Sequence, residues 1–598
     1  MIAEWTRNWD NAILLRQRMG WLRLVFALPF LIIGIRLVQL QVSQHENLLE
    51  RGENQSLRSV PVPAYRGEIH ARGGEQLVRN APLFQLWATP DLMRKPDERK
   101  FIEYALAVTT GELQDLFRRN VQRRIGKQTM LMDNVPFDAA SKMLVHAAQL
   151  SSVRVQTTFQ RLYLDDASLS HILGYIGEAS ADELKGDGTE FDLGDRIGKA
   201  GIEKTYNSQL FGRNGENLVR VDAHGYPIEI AYSIPPRHGE AITLSIDWPL
   251  QQKALALMQA HTGALIAIDP RNGEILASVS HPSMHLDDFR FRVDPVIWRS
   301  LIADPFHPLV NRVFQGVYPP GSTYKPVVAL GALTEGVTNP SETLTCHGTY
   351  RVGRRVFRCW KKEGHGSVAL HKALRESCDV YFYEMGRRLG VDRIAKYARA
   401  LGLGQRTGIE IANENGGLIP TAQWKRDRYG QAWLEGETPS IAIGQGFNLA
   451  TPAQMARMYA TLAMHGHLNK LSVLRQTAPA SYDNTSEIPD SVFATVNNAL
   501  VAVVSEAGGT GGWSRVPNIS VAGKTGTAQV VSNQDADLEH EDTDYWLRDH
   551  AWFVAFAPAD NPQIVVATMI EHGGHGGSAA APIVGDLLRY YFARTVTP

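Results

Sequence analysis

The sequence predicts an α+β domain in the C-terminal part of the chain, with helices packed against one antiparallel sheet. Two β-rich runs come first, in GALIAIDPRNGEILASVSH at 263–281, and Asn272-Gly273 between them is typical of a tight hairpin. Three more strand-like runs come much later, NISVAGKTGTAQVV, AWFVAFAP and PQIVVATMIE. Strands on either side of a mostly helical middle indicate one mixed domain, which we expect to begin near residue 237.

An apolar segment near the amino end predicts a membrane anchor. Residues 21–41, WLRLVFALPFLIIGIRLVQLQ, have the length that one bilayer span needs. A cleaved signal peptide is the alternative, but the segment is longer than a typical signal core and no small-residue cleavage pattern follows it. The basic residues before or at its start are Arg7, Arg16, Arg18 and Arg23. This bias predicts a cytoplasmic tail at 1–20 and places the rest of the chain beyond the membrane.

Composition limits the remaining classes. A chain of 598 residues is too long for one hydrophobic core, so we expect two or three domains. Its 61 basic and 62 acidic residues give no reason to expect a nucleic-acid partner. Residues 42–236 are polar and irregular, with helix-like patterns at about 80–185. We interpret them as a pedestal that spaces the second domain or docks partners and carries no chemistry.

The segment YPPGSTYKPVVALGALTEG places a serine at the start of a helix. Two prolines precede it, and Pro326 is tolerated only in a first turn, so the helix should begin at about Gly321 or Ser322. Backbone N–H groups and the positive end of the helix dipole meet there. Lys325 follows three residues later on the same face, and a desolvated lysine can accept a serine proton. A capping serine beside a surface lysine is the plainer alternative.

Two further motifs make that alternative weaker. GKTGTAQ puts a lysine, Lys524, and two glycines on a strand-like run, where a substrate backbone could approach the strand edge. Ser377 and Asp379, in RESCDVYFYEMG, precede a helix-like run, although both residue types also cap helices well. Each motif alone is ambiguous. The order Ser-x-x-Lys, Ser-x-Asp, Lys-Thr-Gly is far more specific.

In that order the motifs resemble those of the serine penicillin-recognising enzymes. GKAGIEKTYNSQLFG, YPPGSTYKP, GQGFNLATPAQMA and VAGKTGTAQV are similar to the class B, monofunctional penicillin-binding proteins, and the likeness runs from the anchor to the carboxyl end. RCWKKEGHGSVALHKALRESCDVYFY is most similar to the elongation-type group, penicillin-binding protein 2. The resemblance implies a transpeptidase fold at 237–598, with a five-stranded antiparallel sheet and a helical subdomain, after an elongated α+β pedestal.

The resemblance also implies acyl transfer. Ser322 would attack the penultimate D-Ala carbonyl of a peptidoglycan stem peptide, D-Ala would leave, and an amine from a neighbouring stem would attack the acyl-enzyme. Lys325 would be the base for acylation, and Ser377 and Lys524 would organise protons and hydrogen bonds. Many relatives carry Asn where this chain has Asp379, and an ionised carboxylate there can only accept hydrogen bonds.

Substrate contacts follow from the same resemblance. The hydroxyl groups of Thr525 and Thr527 would meet the terminal carboxylate of the substrate. Backbone N–H groups of Ser322 and Thr527 would form the oxyanion hole, with Gly526 leaving room beside them.

The chain has three cysteines, and all lie between residues 346 and 378. With one histidine they read Cys346-x12-Cys359-x5-His365-x12-Cys378, and Cys3His is a recognised structural zinc set. In elongation-type relatives, aspartates often stand at the first two positions, in frames such as RDWKKxGHG, and aspartate can replace a metal ligand. We expect one structural zinc with no open coordination position, which would hold Cys378 and its neighbours in place.

Other interpretations of the cysteines stay open. A Cys346–Cys359 disulfide suits an oxidising compartment, although it leaves Cys378 unpaired and gives His365 no task. Cys378 could also simply pack in the core. The other histidines considered as ligands are His347, His371, His572 and His575.

Together these features predict a single-pass D,D-transpeptidase of side-wall elongation in the inner membrane, with its catalytic domain in the periplasm. The alternatives are a septal transpeptidase, a β-lactam-sensing or β-lactam-hydrolysing protein with the same motifs, and a non-enzymatic scaffold. The long spacer argues against a lone hydrolase, and the intact motifs argue against a scaffold. The partners that the resemblance implies are stem peptides of the lipid-linked precursor polymer, a SEDS-family glycosyltransferase and membrane proteins of the elongation complex.

Overall fold

A computed structural model of the chain describes residues 2–48, 57–120, 124–125, 128–180, 182–183, 191, 195–221, 227–291, 293–475, 481–483, 487–530 and 544–595. Met1 of the predicted tail and parts of the predicted pedestal, such as 184–190, lie outside the described residues. The chain forms two compact units. Unit 1 comprises Met1–Ala64, Pro82–Thr158 and Arg213–His238, and unit 2 comprises Tyr65–Ala81, Phe159–Gly212 and Gly239–Pro598. Two segments that precede residue 237 therefore group with the C-terminal part.

Unit 1 begins with a long helix, Ile2–Val38, that continues as a π-helical turn, Gln39–Ser43. Residues Met19–Ser43 are long and apolar enough to cross a membrane, and they include the predicted span 21–41. A small core elsewhere in the unit is formed by side chains such as Leu86 and Ile102. The other helices of the unit are Pro96–Leu106, Thr110–Arg119 and Phe137–Val145.

The strands of unit 1 include a three-stranded antiparallel sheet, in the order Leu57–Val62, Gly215–Val221, Pro227–Ile234. Its other strands are Arg124–Ile125 and Gln128–Met132. Two longer strands have residues in both units, Gln76–Ala88 and Val153–Tyr163.

Unit 2 is built on a five-stranded antiparallel sheet, which confirms the predicted α+β fold. Its strands are β1 (Gly263–Ile268), β2 (Ile275–His281), β3 (Ala522–Ala528), β4 (His550–Ala557) and β5 (Ile564–Ile570). Their order across the sheet is β2-β1-β5-β4-β3. The predicted hairpin joins β1 and β2, where the Asn272 side chain accepts the backbone N–H of Glu274 at 2.9 Å. The lysine motif thus lies on an edge strand of the sheet.

Helices cover both faces of this sheet. On one face, Phe553 of β4 packs with side chains of α1 (Trp248–Met258) and of the last helix, Gly576–Thr595. On the other face, Val554 packs with a helical subdomain. Because both faces are buried, β1, β4 and β5 read as nearly continuous apolar runs, whereas β2 and β3 also carry polar residues.

The helical subdomain supplies the elements that carry the site. Its main helices are α2 (Lys325–Thr334), α3 (Asp379–Leu389), α4 (Val391–Ala400), α5 (Pro452–Ala463) and α6 (Asp490–Ser505). The shorter helices of the unit are Ser170–Leu173, Gly201–Thr205, Asn207–Leu210, Pro295–Ala303, Leu370–Arg375, Ala422–Tyr429 and Thr438–Ala442. Two small antiparallel pairs, Leu344–Cys346 with Gly366–Val368 and Thr349–Val352 with Arg355–Arg358, precede α3.

A buried ion cluster joins the early segments of unit 2. Glu203 is fully buried and accepts hydrogen bonds from Arg66 Nε at 2.6 Å and from Arg161 Nε at 2.8 Å. Arg161 also donates to the Asn80 side chain and to the Gly67 carbonyl. Burial raises the pKa of Glu203, but the two guanidinium groups outweigh it, so the pKa is lowered overall. Glu203 is therefore ionised, and its charge is compensated.

We expect Glu203→Gln to lower the free energy of unfolding by about 3 kcal/mol, because two buried guanidinium groups lose their counter-charge. Since the folded-state pKa of Glu203 is depressed, its contribution exists above the ordinary glutamate pKa and is lost as the pH falls through the folded value. Urea unfolding of the purified chain at several pH values measures both effects. Glu487→Gln is the control, because the Lys396–Glu487 pair is 52% and 72% exposed. Equal stability of the two variants would contradict the prediction.

Candidate active site

Ser322 lies in a 3-10 turn, Gly321–Tyr324, that leads directly into α2. Pro326 occupies the first turn of α2, as predicted. The predicted start at Gly321 or Ser322 coincides with the start of the 3-10 turn, and the α-helix itself begins at Lys325. Gly321 has φ +55°, and a Cβ there would lie 2.6 Å from the Thr527 carbonyl oxygen. A Cβ at Gly526 would lie 2.9 Å from the Pro320 carbonyl oxygen. Glycine at both positions lets the serine turn and strand β3 approach backbone to backbone.

The GQGFN segment holds the turn and the strand together. The Gly321 N–H donates to the Gly444 carbonyl at 3.0 Å, and Gln445 Nε2 donates to the Thr527 carbonyl at 3.2 Å. The sequence showed this segment only as a mark of family resemblance. The contacts of the GQGFN segment fix the distance between the serine turn and the end of β3.

Lys325 is fully buried, and its ammonium group has three acceptors. Nζ donates to the Ser377 carbonyl at 2.8 Å, to Ser377 Oγ at 3.1 Å and to Asp379 Oδ1 at 2.7 Å. An ammonium group has three N–H donors, so the group is fully satisfied. The first two motifs, more than 50 residues apart in sequence, are therefore in direct contact.

Ser377 has an unusual backbone conformation. Its φ is +56°, in the left-handed region that is costly for residues other than glycine. The next residue, Cys378, is the N-cap of α3, and Asp379 begins the helix. The left-handed turn directs the Ser377 carbonyl toward Lys325 Nζ. Burial raises the pKa of Asp379, and the positive charge of Lys325 opposes that rise.

Lys524 supplies a second buried amine. It lies on β3, which pairs with β4 without a bulge, and its side chain is fully buried. Burial holds the pKa of Lys524 well below its usual value, the nearby charge of Lys325 lowers it further, and Asp379 opposes the shift. A lysine with a depressed pKa is neutral over more of the pH range and can accept a proton.

Thr525 has a partner that sequence reasoning missed. The hydroxyl groups of Thr525 and Thr510 are 2.6 Å apart. Thr510 lies in GGTGG, between α6 and β3, and a Cβ at Gly577 would lie 2.7 Å from its carbonyl oxygen. A glycine-rich turn was the only sequence signal. The hydrogen bond restricts the orientation of the Thr525 hydroxyl at the edge of the site.

The cysteines and His365 form a second cluster. The ligand atoms of Cys346, Cys359, His365 and Cys378 lie within 4.8 Å of one another, and all four residues are buried. His365 Nδ1 is 3.6 Å from Cys346 Sγ and 3.5 Å from Cys359 Sγ. A tetrahedral zinc with bonds of about 2.3 Å to sulfur and about 2.0 Å to nitrogen would place such atoms about 3.5 Å apart. The donor set and its spacing fit zinc.

Neighbouring groups favour the thiolate form of Cys359, whereas the same contact with Cys359 raises the pKa of the Cys378 thiol. The pKa of the Cys359 thiol is lowered, most strongly by the Cys378 thiol and further by His365 and the N–H groups of Lys361 and Asp379. Such N–H groups stabilise negative sulfur and orient it. None of the three cysteines, all of which the structure describes, forms a disulfide.

The four other histidines considered as metal ligands, His347, His371, His572 and His575, lie outside this cluster. The cluster is the one such ligand group among the described residues. His371 instead approaches Glu506 at 3.4 Å, and His572 Nδ1 lies 3.1 Å from the Arg548 carbonyl.

Comparison with known proteins places this geometry in a family. The model of the penicillin-binding protein transpeptidase domain matches residues 263–589, and that of the penicillin-binding protein dimerisation domain matches 61–244. The chain belongs to the penicillin-binding protein transpeptidase family. The fold implied by the resemblance is thus confirmed.

Relatives in this family match over nearly the whole chain. Peptidoglycan D,D-transpeptidase MrdA of Haemophilus influenzae is 34% identical over 589 residues, 94% of this chain and 89% of the relative. Penicillin-binding protein PBP2 of Helicobacter pylori, solved in complex with MreC, has a TM-score of 0.80 at 30% identity, covering 90% of this chain and 99% of that one. A structure described as a peptidoglycan synthase complex that coordinates polymerization and crosslinking gives 0.72 at 30% identity, covering 97% and 99%.

We expect Thr510→Val to slow acylation by a fluorescent penicillin about fivefold, because the Thr525 hydroxyl loses a hydrogen-bond partner in a nearly isosteric change. Stopped labelling reactions resolved by gel fluorescence measure the rate. Thr495→Val, on helix α6, is the matched control, since its hydroxyl bonds only its own helix at Ser491. An unchanged rate in Thr510→Val would show that the Thr525 hydroxyl needs no such support.

Proposed function

We propose that this chain is a peptidoglycan D,D-transpeptidase of side-wall elongation that works through an acyl-enzyme on Ser322. One observation carries the proposal. A serine at a helix start lies beside strand β3, while the buried Lys325 joins Ser377 and Asp379 in one hydrogen-bonded network. Relatives named peptidoglycan D,D-transpeptidase MrdA, and similar structures of PBP2, support the elongation type over the septal type.

The reaction begins with Ser322. Its hydroxyl oxygen attacks the penultimate D-Ala carbonyl carbon. The Ser322 proton passes to Lys325, one helical turn away, after the Lys325 ammonium group has given up a proton to the neighbouring amine of Lys524. The intermediate then collapses with cleavage of the C–N bond, and the leaving D-Ala amine takes up a proton. Lys524, whose low pKa leaves its amine free to accept a proton, lies close enough to Lys325 to be affected by its charge and serves this exchange. The amine of a second stem peptide attacks the ester, and Ser322 regains its proton.

The substrate is held from the strand side. The N–H groups of Ser322 and Thr527 face the developing oxyanion, and loss of one such donor costs roughly 100- to 1000-fold in other enzymes. The close approach of Gly321 to Thr527 supports this pairing. The hydroxyl groups of Thr525 and Thr527 bind the terminal carboxylate of the stem peptide, and Thr510 orients the first of them.

Ser322→Ala should abolish covalent labelling by a fluorescent penicillin, because the neighbouring hydroxyl in the same turn, that of Thr323, is buried and donates to the Pro320 carbonyl. The measurement is gel fluorescence of the purified full-length chain. Lys325→Met, which keeps the length of the side chain but removes the amine, should slow labelling by at least about 100-fold. Labelling that survives Ser322→Ala would refute the assignment, and rapid release of the adduct by wild type would favour a hydrolase.

The remaining parts of the proposal concern location and partners. Helix Met19–Ser43 anchors the chain in the inner membrane, with the amino end in the cytoplasm and the transpeptidase domain in the periplasm. Its partners are a SEDS-family glycosyltransferase and membrane proteins of the elongation complex. The solved complexes of similar chains, one with MreC and one a peptidoglycan synthase, support such partners.

The four-ligand cluster is proposed to hold one structural zinc. Cys346, Cys359, His365 and Cys378 would fill a tetrahedral shell, which leaves no position for a reacting water. When bound, zinc would supply a rigid cross-link and take no part in acyl transfer. Cys378 would be fixed on the cluster side while its two neighbours face Lys325.

Cys378→Ser should lower the zinc content from about one per chain, lower the melting temperature, and slow penicillin acylation without removing a reacting group. Elemental analysis, thermal unfolding and labelling measure the three effects. His347→Ala is the matched control, because His347 is exposed next to Cys346 but outside the cluster. A metal-free wild type with a Cys346–Cys359 bridge would contradict the zinc proposal.

A further inference from the structure

Trp360 is a large apolar residue that is 59% exposed, so burial does not fix its position. It directly follows Cys359, at the end of the strand Arg355–Arg358. Its indole N–H donates to the carbonyl oxygens of Glu376 and Ser377, both at 3.1 Å. Its backbone N–H donates to Asp379 Oδ2 at 3.0 Å. Hydrogen bonds therefore hold this side chain and its backbone against the start of α3.

Two of the three groups that accept hydrogen bonds from Trp360, the Ser377 carbonyl and the Asp379 carboxylate, also bind Lys325. The Ser377 carbonyl accepts the indole N–H and also Lys325 Nζ, at 2.8 Å. The Asp379 carboxylate uses one oxygen for the Trp360 backbone and the other for Lys325 Nζ, at 2.7 Å. A carbonyl oxygen has two lone pairs, and both are used here. Trp360 and Lys325 thus hold the same two acceptors through different lone pairs or oxygens.

The hydrogen bonds from Trp360 help to hold Ser377 in its strained backbone conformation. A left-handed serine persists only where the surrounding structure fixes it. If the indole N–H were lost, the Ser377 carbonyl would keep only Lys325 and the peptide could rotate. Because Lys325 Nζ depends on that carbonyl, its distance to the Ser322 hydroxyl would change as well. A displacement of this kind slows a reaction without weakening ligand binding.

A purely structural role for Trp360 is distinguishable from this one. The indole ring meets the His365 ring edge to face, with centroids 5.5 Å apart, and so covers part of the four-ligand cluster. That contact depends on the shape of the ring. The bonds to Glu376 and Ser377 depend on the single N–H group.

We propose that Trp360 is a positioning residue for acyl transfer, a role that rests on the proposed function. It places the Ser377 carbonyl and the Asp379 carboxylate, and through them the acylation base Lys325. Because Trp360 is bonded covalently to Cys359, the same residue links the four-ligand cluster to the acyl-transfer centre along a second route, separate from Cys378.

The test distinguishes the role of the indole N–H group from that of the ring, and it uses the full-length chain. Trp360 is replaced by benzothienylalanine, which keeps the ring shape and lacks the N–H, and by 5-fluorotryptophan, which keeps both. Trp360→Phe is a third variant, and Trp298→Phe, at a residue 41% exposed, is the matched control. Stopped-flow labelling with fluorescent penicillin yields the binding constant of the initial complex and the acylation rate constant separately. Melting temperature and reactive-thiol content are measured for each.

We expect benzothienylalanine and Trp360→Phe to lower the acylation rate constant about tenfold, with the binding constant within about twofold of wild type. The 5-fluorotryptophan chain and Trp298→Phe should match wild type, and thiol content should not change. A benzothienylalanine chain that acylates at the wild-type rate would overturn the proposal. So would a slow chain whose melting temperature falls and whose thiols become reactive, because the ring would then act only as a cover. Failure of wild type to be labelled at Ser322 would instead count against the proposed function.

Discussion

The buried ammonium group of Lys325 is the interaction on which the rest of the site depends. A charge removed from water must be compensated, and Lys325 is compensated by one carboxylate, one hydroxyl and one carbonyl. These acceptors lie on the loop before α3, so the loop must present them inward. That requirement explains the left-handed Ser377. It also explains why a carboxylate, Asp379, is tolerated in a buried position.

The same charge balance accounts for the second lysine. The site holds two amines and one carboxylate, so both amines cannot be charged at low cost. Lys325 contacts Asp379 directly, whereas among the described residues Lys524 donates to the Thr525 carbonyl alone, at 3.3 Å. Desolvation and the charge of Lys325 therefore act on Lys524, and its pKa falls. A lysine with a lowered pKa close to the Lys325 network is suited to accept a proton and to return it, as acylation and deacylation require.

Local sequence signals were sufficient to predict the fold and to locate the motifs. Pro326 marks the start of α2 through its missing N–H, and the Asn272 turn closes the β1–β2 hairpin through its side chain. The partners of those motifs were not predictable. Thr510 and Trp360 reach the site from turns with no periodicity, and their contacts exist only after distant segments have packed. The cysteine spacing matched no standard finger, because strand pairing, such as Cys346 opposite Gly366, sets the ligand positions.

Ser377, Cys378 and Asp379 contribute to two centres, the four-ligand cluster and the Lys325 network, because their backbone conformations differ. Ser377 is left-handed, Cys378 is extended with φ −66° and ψ 113°, and Asp379 is helical. Three different conformations in a row direct the sulfur toward His365 and the polar groups on either side toward Lys325. A change at the cluster would therefore reach the acyl-transfer centre as a rotation of the groups that accept hydrogen bonds from Lys325 Nζ. Since Lys325 has no other acceptor among the described residues, such a rotation would leave a buried charge uncompensated, and the cluster thereby stabilises the reactive arrangement.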